Sequence, residues 1–264
     1  MTEEDAERIT VSQLRKEALL LHWLDSVVGD NSLSFVSLNY DTLLDSTLNK
    51  CLGEREPGDH GWSQQEHPGS YLKFGYGFEV YSEDGVLQTG NGMQLLKPHG
   101  SLNLIYCSRC NKIYWRSDSW YASMLNDRAL CPFCKQNMDA PLQLPPAYTK
   151  DLSMLNLNDA VTVRIQQVKD KVVAAIAGAD QIRVFGYSFP PYDYEFRYLC
   201  MKGLLLNRKR DQVVVDIVDY VEDESRAADQ ARKYNFLTLM IRDTTYHIQG
   251  FIRYLEDSVA EGKR

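Results

Sequence analysis

A chain of 264 residues, 44% hydrophobic and 25% charged, has the composition of a folded globular protein, long enough for one α/β domain with a small appendage and too short for two large domains. A formal charge of -7 argues against nucleic acid as the main partner, because phosphate binding requires a basic face. The acidic opening, Met1-Thr2-Glu3-Glu4-Asp5, has no apolar core, and no apolar run approaches the about 18 residues of a membrane span, so neither a signal peptide nor a membrane partner is expected and the protein is placed in the cytoplasm.

In that compartment the six cysteines are read as thiols or metal ligands before disulfides. Over 7–28 the positions Leu14, Ala18, Leu21, Leu24 and Val28 recur at helical spacing, which predicts an amphipathic helix carrying a surface histidine, His22. Gly29-Asp30-Asn31 ends it, and Leu33 to Leu38 reads as a short buried strand. That strand delivers Asn39-Tyr40-Asp41 into a turn, since Leu43, Leu44, Leu48 and Leu52 line the face of a following helix. Ligands of open α/β sheets bind at the carboxyl ends of strands, where Asn39 and Asp41 are expected. Asp41 or Thr42 is equally suited to capping the helix.

The stretch 53–92 is rich in glycine, polar and aromatic residues and predicts loops with short strands, with His60 and His67 on exposed loops. Gly75-Tyr76-Gly77 is too short for a phosphate loop, because no helical pattern opens behind it. In Lys97-Pro98-His99-Gly100-Ser101, Pro98 fixes its own φ and extends Lys97, and Gly100 permits a sharp turn. His99 is therefore expected at a strand end with its ring presented to solvent.

Cys107-x-x-Cys110 and Cys131-x-x-Cys134, separated by twenty residues, form the strongest local signal. Four thiolates at that spacing suit one tetrahedral Zn²⁺ with no open position, which makes the metal structural; redox dithiols are the competing reading. Pro141, Pro145 and Pro146 mark the return to the main body. A helix over 161–179 leads to a strand over 181–185 and the turn Gly186-Tyr187-Ser188, then a helix over 195–206 whose end is capped by Arg208-Lys209-Arg210. A strand over 213–219 follows, with Asp219 placed to accept ribose hydroxyls, then a strand over 236–241 and a helix over 244–259. This alternation predicts an α/β fold with a parallel sheet covered on both faces.

Taken in order, Asn39-Tyr40-Asp41, His99-Gly100, the four cysteines and Gly186-Tyr187-Ser188 resemble the motifs of the sirtuin family in its bacterial SIR2-like branch, over roughly residues 33 to 225. Val218-Asp219 stands where that family usually has Val-Asn. The resemblance implies a Rossmann-like NAD-binding domain over 1–104 and 141–264 with an inserted zinc-ribbon module over 105–140. It implies NAD⁺ as substrate, cleaved at the nicotinamide glycosidic bond through an oxocarbenium-like centre. His99 would be the general base on a ribose hydroxyl, with Asn39 and Asp41 ordering the ribose or the attacking water, and Gly186, Ser188 and Asp219 contacting the adenosine and phosphate side. Water as acceptor would make the protein an NAD⁺ glycohydrolase, which Tyr40 and Tyr187 favour; an acyl-lysine protein as acceptor would make it a deacylase, which the four-cysteine module favours. The family's Gly-Ala-Gly-x-Ser strand and loop should precede the 7–28 helix, and the sequence does not contain it. The expectation is thus an N-terminally incomplete SIR2 domain whose missing part is supplied by another segment or chain, or a catalytically inactive, zinc-stabilised module for binding other proteins.

Overall fold

The computed structural model describes residues 18–20, 22–24, 33–51, 74–89, 93–115, 130–139, 141–143, 159–222 and 224–261. His60, His67, Pro145 and Pro146 lie outside these. The chain divides into two compact units, Ser32–Val172 and Met1–Asn31 with Val173–Arg264. No helix among the described residues is long and apolar enough to cross a membrane.

In the Ser32–Val172 unit, strand β1 (Ser34–Val36) leads into helix α1 (Leu43–Cys51), and after the short strands β2 (Val80–Tyr81) and β3 (Leu87–Gln88) comes β4 (Gln94–Leu96). β1 and β4 pair in parallel with Val36 opposite Leu96, so the segments that leave them, 37–41 and 97–99, start from the same end of the pair. β5 (Gly100–Cys107), β6 (Lys112–Trp115) and β7 (Pro141–Gln143) complete a second sheet of order β3-β2-β6-β5-β7. Gly100 opens β5 with φ of +83°, and a Cβ there would stand 2.0 Å from the Leu142 carbonyl oxygen, so only glycine fits this turn. The core is apolar around Leu48, Leu95, Leu96, Leu104 and Ile105, but it also contains Asp45, Lys97, His99, Ser101 and Asn103.

Helix α2 (Asp159–Gly178), where the sequence predicts a helix over 161–179, carries the boundary between the units and buries Val161, Ile165, Val168, Val172 and Val173, an i, i+4, i+7 stripe. Beyond it, β8 (Gln181–Phe185), α3 (Tyr194–Leu206), β9 (Val214–Val218), α4 (Ala227–Arg232), α5 (Asn235–Thr238), β10 (Asp243–His247) and α6 (Phe251–Glu261) follow in turn. β8, β9 and β10 form a parallel sheet of order β10-β9-β8, matching the predicted parallel α/β arrangement. Residues 18–20 and 22–24 are helical, as expected, but Ala18 is exposed and the buried face is Leu20, Trp23 and Leu24, with Trp23 edge-on to Phe185 at 6.0 Å.

Two assignments are corrected. The apolar run 236–241 is not a strand: Asn235–Thr238 is helical, and Leu237 is buried while Leu239 is fully exposed. The segment 244–259 is not one helix: Asp243–His247 pairs with β9, and α6 begins only after Gly250, which has a φ of +85°. Thr244, Thr245 and Tyr246 favour an extended edge strand, a preference that apolar periodicity does not register.

Candidate functional site

The parallel pairing of β1 and β4 brings three of the predicted residues together. The amide of Leu102, just inside β5, donates to the Tyr40 carbonyl at 2.9 Å, and the Tyr40 and His99 rings lie 6.4 Å apart, tilted by 35°. Asn39 is exposed and Asp41 half-buried. The Asp41 carboxylate accepts the amide of Leu43 at 3.1 Å, so it opens helix α1 as well as facing the turn. His99 departs from expectation in one respect: its ring is buried, at 3% exposure, and not presented to solvent. The cause is the turn itself, closed by the Gly100 amide donating to the Lys97 carbonyl at 2.9 Å, which tucks the imidazole beside Tyr40.

Beneath this turn lies a charged cluster that sequence reasoning missed. The Lys97 ammonium donates to the Asp45 carboxylate at 2.8 Å, to the Ser101 hydroxyl at 2.7 Å and to the Asp41 carbonyl at 2.6 Å. Both charged side chains are 1% exposed. The Ser101 hydroxyl donates to the Tyr40 carbonyl at 3.3 Å. On its other face Asp45 accepts from the Tyr76 hydroxyl and from the Asn103 amide, the latter at 3.1 Å. Burial, then the neighbouring Asp45 charge, push the Tyr76 hydroxyl well above its ordinary value, so it stays a neutral donor. The signal in the sequence is the pair of polar residues Ser101 and Asn103 in an otherwise largely apolar strand, which period-two patterning assigns to one face of β5; Lys97, in the turn before it, carries no such signal.

The four predicted cysteines converge, with all four sulfurs within 4.8 Å of one another. Cys107 and Cys134 stand 3.5 Å apart, as do Cys110 and Cys131. Zinc–sulfur bonds of about 2.3 Å in a tetrahedron set sulfurs about 3.8 Å apart, so this donor set fits Zn²⁺. The two knuckles are built alike: the Asn111 amide donates to the Cys107 carbonyl and the Lys135 amide to the Cys131 carbonyl, each at 2.9 Å, and Asn111 and Lys135 both take a φ of 57°. Burial pushes the Cys107 thiol up to about 12. Burial also raises Cys131, but the amides of Cys134 and Phe133 and the Tyr114 hydroxyl outweigh it and bring that thiol down to about 6. Four sulfur donors close the coordination sphere, so a metal here holds the fold and does no chemistry.

Gly186, Ser188 and Asp219 belong to the other unit, at the carboxyl ends of β8 and β9. Gly186 takes a φ of 62° and its amide donates to the Val218 carbonyl at 3.1 Å, which ties the first turn to the strand that carries Asp219. The Tyr187 hydroxyl donates to Asp193 at 2.6 Å, and Asp193 in turn caps α3 through the Phe196 amide. Asp219 is already engaged: it accepts from Tyr234 and Gln230, each at 2.6 Å, and from the Tyr220 amide at 2.8 Å. Burial alone would raise its carboxyl, but these three donors prevail and hold it below the ordinary carboxylate range. Asp219 lines a cavity of about 240 Å³ whose wall is mostly apolar, with Ile217, Ala227 and Tyr246 among its residues and Gln230 and His247 as further polar members.

No family model matches the chain, and no curated protein matches it in sequence. Among solved structures, sirtuins are matched at TM-scores of 0.31 to 0.37. Sir2Tm bound to a propionylated peptide is 15% identical, with a TM-score of 0.37, the match covering 66% of this chain and 58% of that one. A Sir2–p53 peptide–NAD⁺ complex is 15% identical with a TM-score of 0.35, covering 65% and 57%. The structure described as the structural basis for sirtuin substrate affinity is 14% identical with a TM-score of 0.35, covering 64% and 57%. The matched part is thus less than two thirds of the length of these sirtuins.

Proposed function

We propose that this protein is an NAD⁺-consuming enzyme of the SIR2-like type, cleaving the bond between nicotinamide and the ribose, with the Asn39–Asp41 turn and His99 as its reaction centre. The observation that carries this reading is the parallel β1–β4 pair, whose shared end sets the turn bearing an asparagine and an aspartate next to a buried imidazole. An imidazole in such a setting suits proton removal from a ribose hydroxyl near neutral pH, and Asn39 is the exposed amide able to orient a hydroxyl or a water. Departure of neutral nicotinamide leaves positive charge at the ribose carbon; attack by water there, with loss of a proton, gives ADP-ribose. In the deacylase form of the reaction the amide oxygen of an acyl-lysine attacks instead.

We propose separately that, within the other unit, Gly186, Ser188 and Asp219 would contact a nucleotide. The apolar cavity beside Asp219 supports this, since a base needs a flat apolar wall and a ribose needs an acceptor. The four-cysteine cluster would hold a structural Zn²⁺.

Nicotinamide release from NAD⁺, followed with and without an acetylated peptide, tests the proposal. Release without peptide marks a glycohydrolase, release only with peptide marks a deacylase, and no release in either case overturns the enzymatic reading. A second reading, a binding module without turnover, draws support from the Asp219 carboxylate being satisfied by its own neighbours. It expects tight NAD⁺ binding or none, no nicotinamide release, and no effect of His99→Ala on any cellular readout.

A further inference from the structure

The Lys97 ammonium has three N–H donors and each has one acceptor: a carboxylate on α1, a hydroxyl on β5 and a main-chain carbonyl in the turn between β1 and α1. Two of these three contacts bear on the same short loop. Lys97 grips the Asp41 carbonyl directly, and it grips the Tyr40 carbonyl through Ser101, which donates there at 3.3 Å. The Leu102 amide adds a third tie to this loop, the second at the Tyr40 carbonyl. His99 sits on the same strand connection, between Lys97 and Ser101, so both halves of the reaction centre are fastened to one buried cation.

A buried ion pair is a poor device for stability alone, because the desolvation of two charges offsets most of their attraction and apolar replacements often fold as well. What the pair supplies here is directional. Apolar side chains in its place could fill the volume but could not hold two main-chain carbonyls at a set distance from an imidazole. Without these ties, a six-residue turn over 37–42 next to a strand end would sample several conformations.

We propose that Lys97, with Asp45 and Ser101, is a positioning residue that fixes the spacing between the Asn39–Asp41 turn and His99. This rests on the reading of His99 and Asn39 as the NAD⁺ reaction centre, though the clamp itself is a statement about geometry. The experiment compares wild type with Lys97→Met/Asp45→Asn, which removes both charges together while leaving a side-chain acceptor for Tyr76 and Asn103. It reads amide hydrogen exchange at Leu43 and Leu102, the melting transition, and the pH dependence of nicotinamide release.

The expected result is a cooperative melt with exchange at Leu43 and Leu102 faster by about tenfold or more, while amides of the β5–β6 ladder keep their protection. Nicotinamide release should fall by about tenfold to a hundredfold, and the acid limb of its pH profile should move, because the surroundings of His99 change. A loss of folded protein would lower the rate without moving that limb. Unchanged exchange at both amides overturns the clamp. If wild type itself releases no nicotinamide, the enzymatic reading fails and the exchange data alone decide whether Lys97 holds the turn. Should the double variant not fold, Ser101→Ala takes its place: faster exchange confined to Leu102 and its neighbours supports the clamp, and none overturns it.

Discussion

Carboxylates are fastened in opposite ways in the two units. In Ser32–Val172, Asp45 and Lys97 are sealed, each side chain 1% exposed and every Lys97 donor matched to an acceptor. In the other unit, Asp216 and Asp219 are held by partly open sets of donors. Asp216 takes Gln181 at 2.7 Å and His247 at 3.0 Å, with Arg183 at 3.8 Å, and the His247 side chain is 35% exposed. Asp219 takes Tyr234, Gln230 and a backbone amide. A sealed pair has no fallback in water when one partner is lost, so it is brittle toward substitution. A half-open set re-solvates, so it tolerates substitution and responds instead to pH.

The largest effect is expected where a sealed cluster depends on a countercharge that can be removed. Treatment with a strong chelator, or the substitution Cys107→Ser, should abolish the cooperative folding of the module built on Cys107, Cys110, Cys131 and Cys134, read by loss of near-ultraviolet dichroism from Tyr114 and its neighbours. A one-to-one zinc content by mass spectrometry under native conditions is the companion measurement.

Next comes Lys97→Met alone. It leaves Asp45 charged and buried, and should cost about 3–5 kcal/mol in denaturant unfolding. Asp45→Asn added to it should recover most of that loss; if the double variant is as unstable as the single, the sealed site is held by packing and not by charge balance.

His99→Ala empties a buried position and should cost about 1–3 kcal/mol in denaturant unfolding, while the protein that remains folded releases nicotinamide about 10² to 10⁴ more slowly, measured by product formation at saturating NAD⁺. An unchanged rate removes His99 from the chemistry.

The open sets should show smaller changes. The Asp219 carboxyl sits below its ordinary value in the folded chain. Its contribution to stability is therefore fully present above the unfolded carboxylate value near 4 and disappears as pH falls through the lower folded value. Asp219→Asn should flatten the acid limb of the stability profile in that range and lower stability at pH 7, where the contribution it removes is fully present, with the two proteins converging in acid. The smallest effect is expected from His247→Gln, within about 1 kcal/mol at neutral pH, because a half-exposed imidazole is replaced by another hydrogen-bonding side chain near Asp216.

Much of the architecture was legible before any coordinates. The strand at 34–36, the helix at 43–51, the strand at 181–185 and the helix at 194–206 all fall where apolar spacing and turn residues put them. The cysteine spacing announced its cluster because two C-x-x-C knuckles leave few other arrangements. The errors came where a segment is short and its pattern weak. Phe236 to Ile241 is apolar enough for a strand but turns helical, and Asp243 to His247 is polar enough for a loop or an exposed helix yet pairs with β9.

Residue identity and spacing alone determined which groups are available: an asparagine and an aspartate after one strand, an imidazole between proline and glycine, four thiolates, and an aspartate after a later strand. Whether such groups meet is a matter of long-range pairing. The parallel register of β1 with β4 decided that the Asn39–Asp41 turn lies beside His99, although some fifty-eight residues of chain separate Asp41 from His99. Burial, too, was decided by the tertiary structure. Lys97, of which the local sequence gives only an extended backbone before Pro98, becomes, once α1 and β5 close around it, the cation on which the turn is hung. The physical reason is that propensity and periodicity act over a few residues, whereas desolvation and charge pairing depend on which distant segments the sheet brings together.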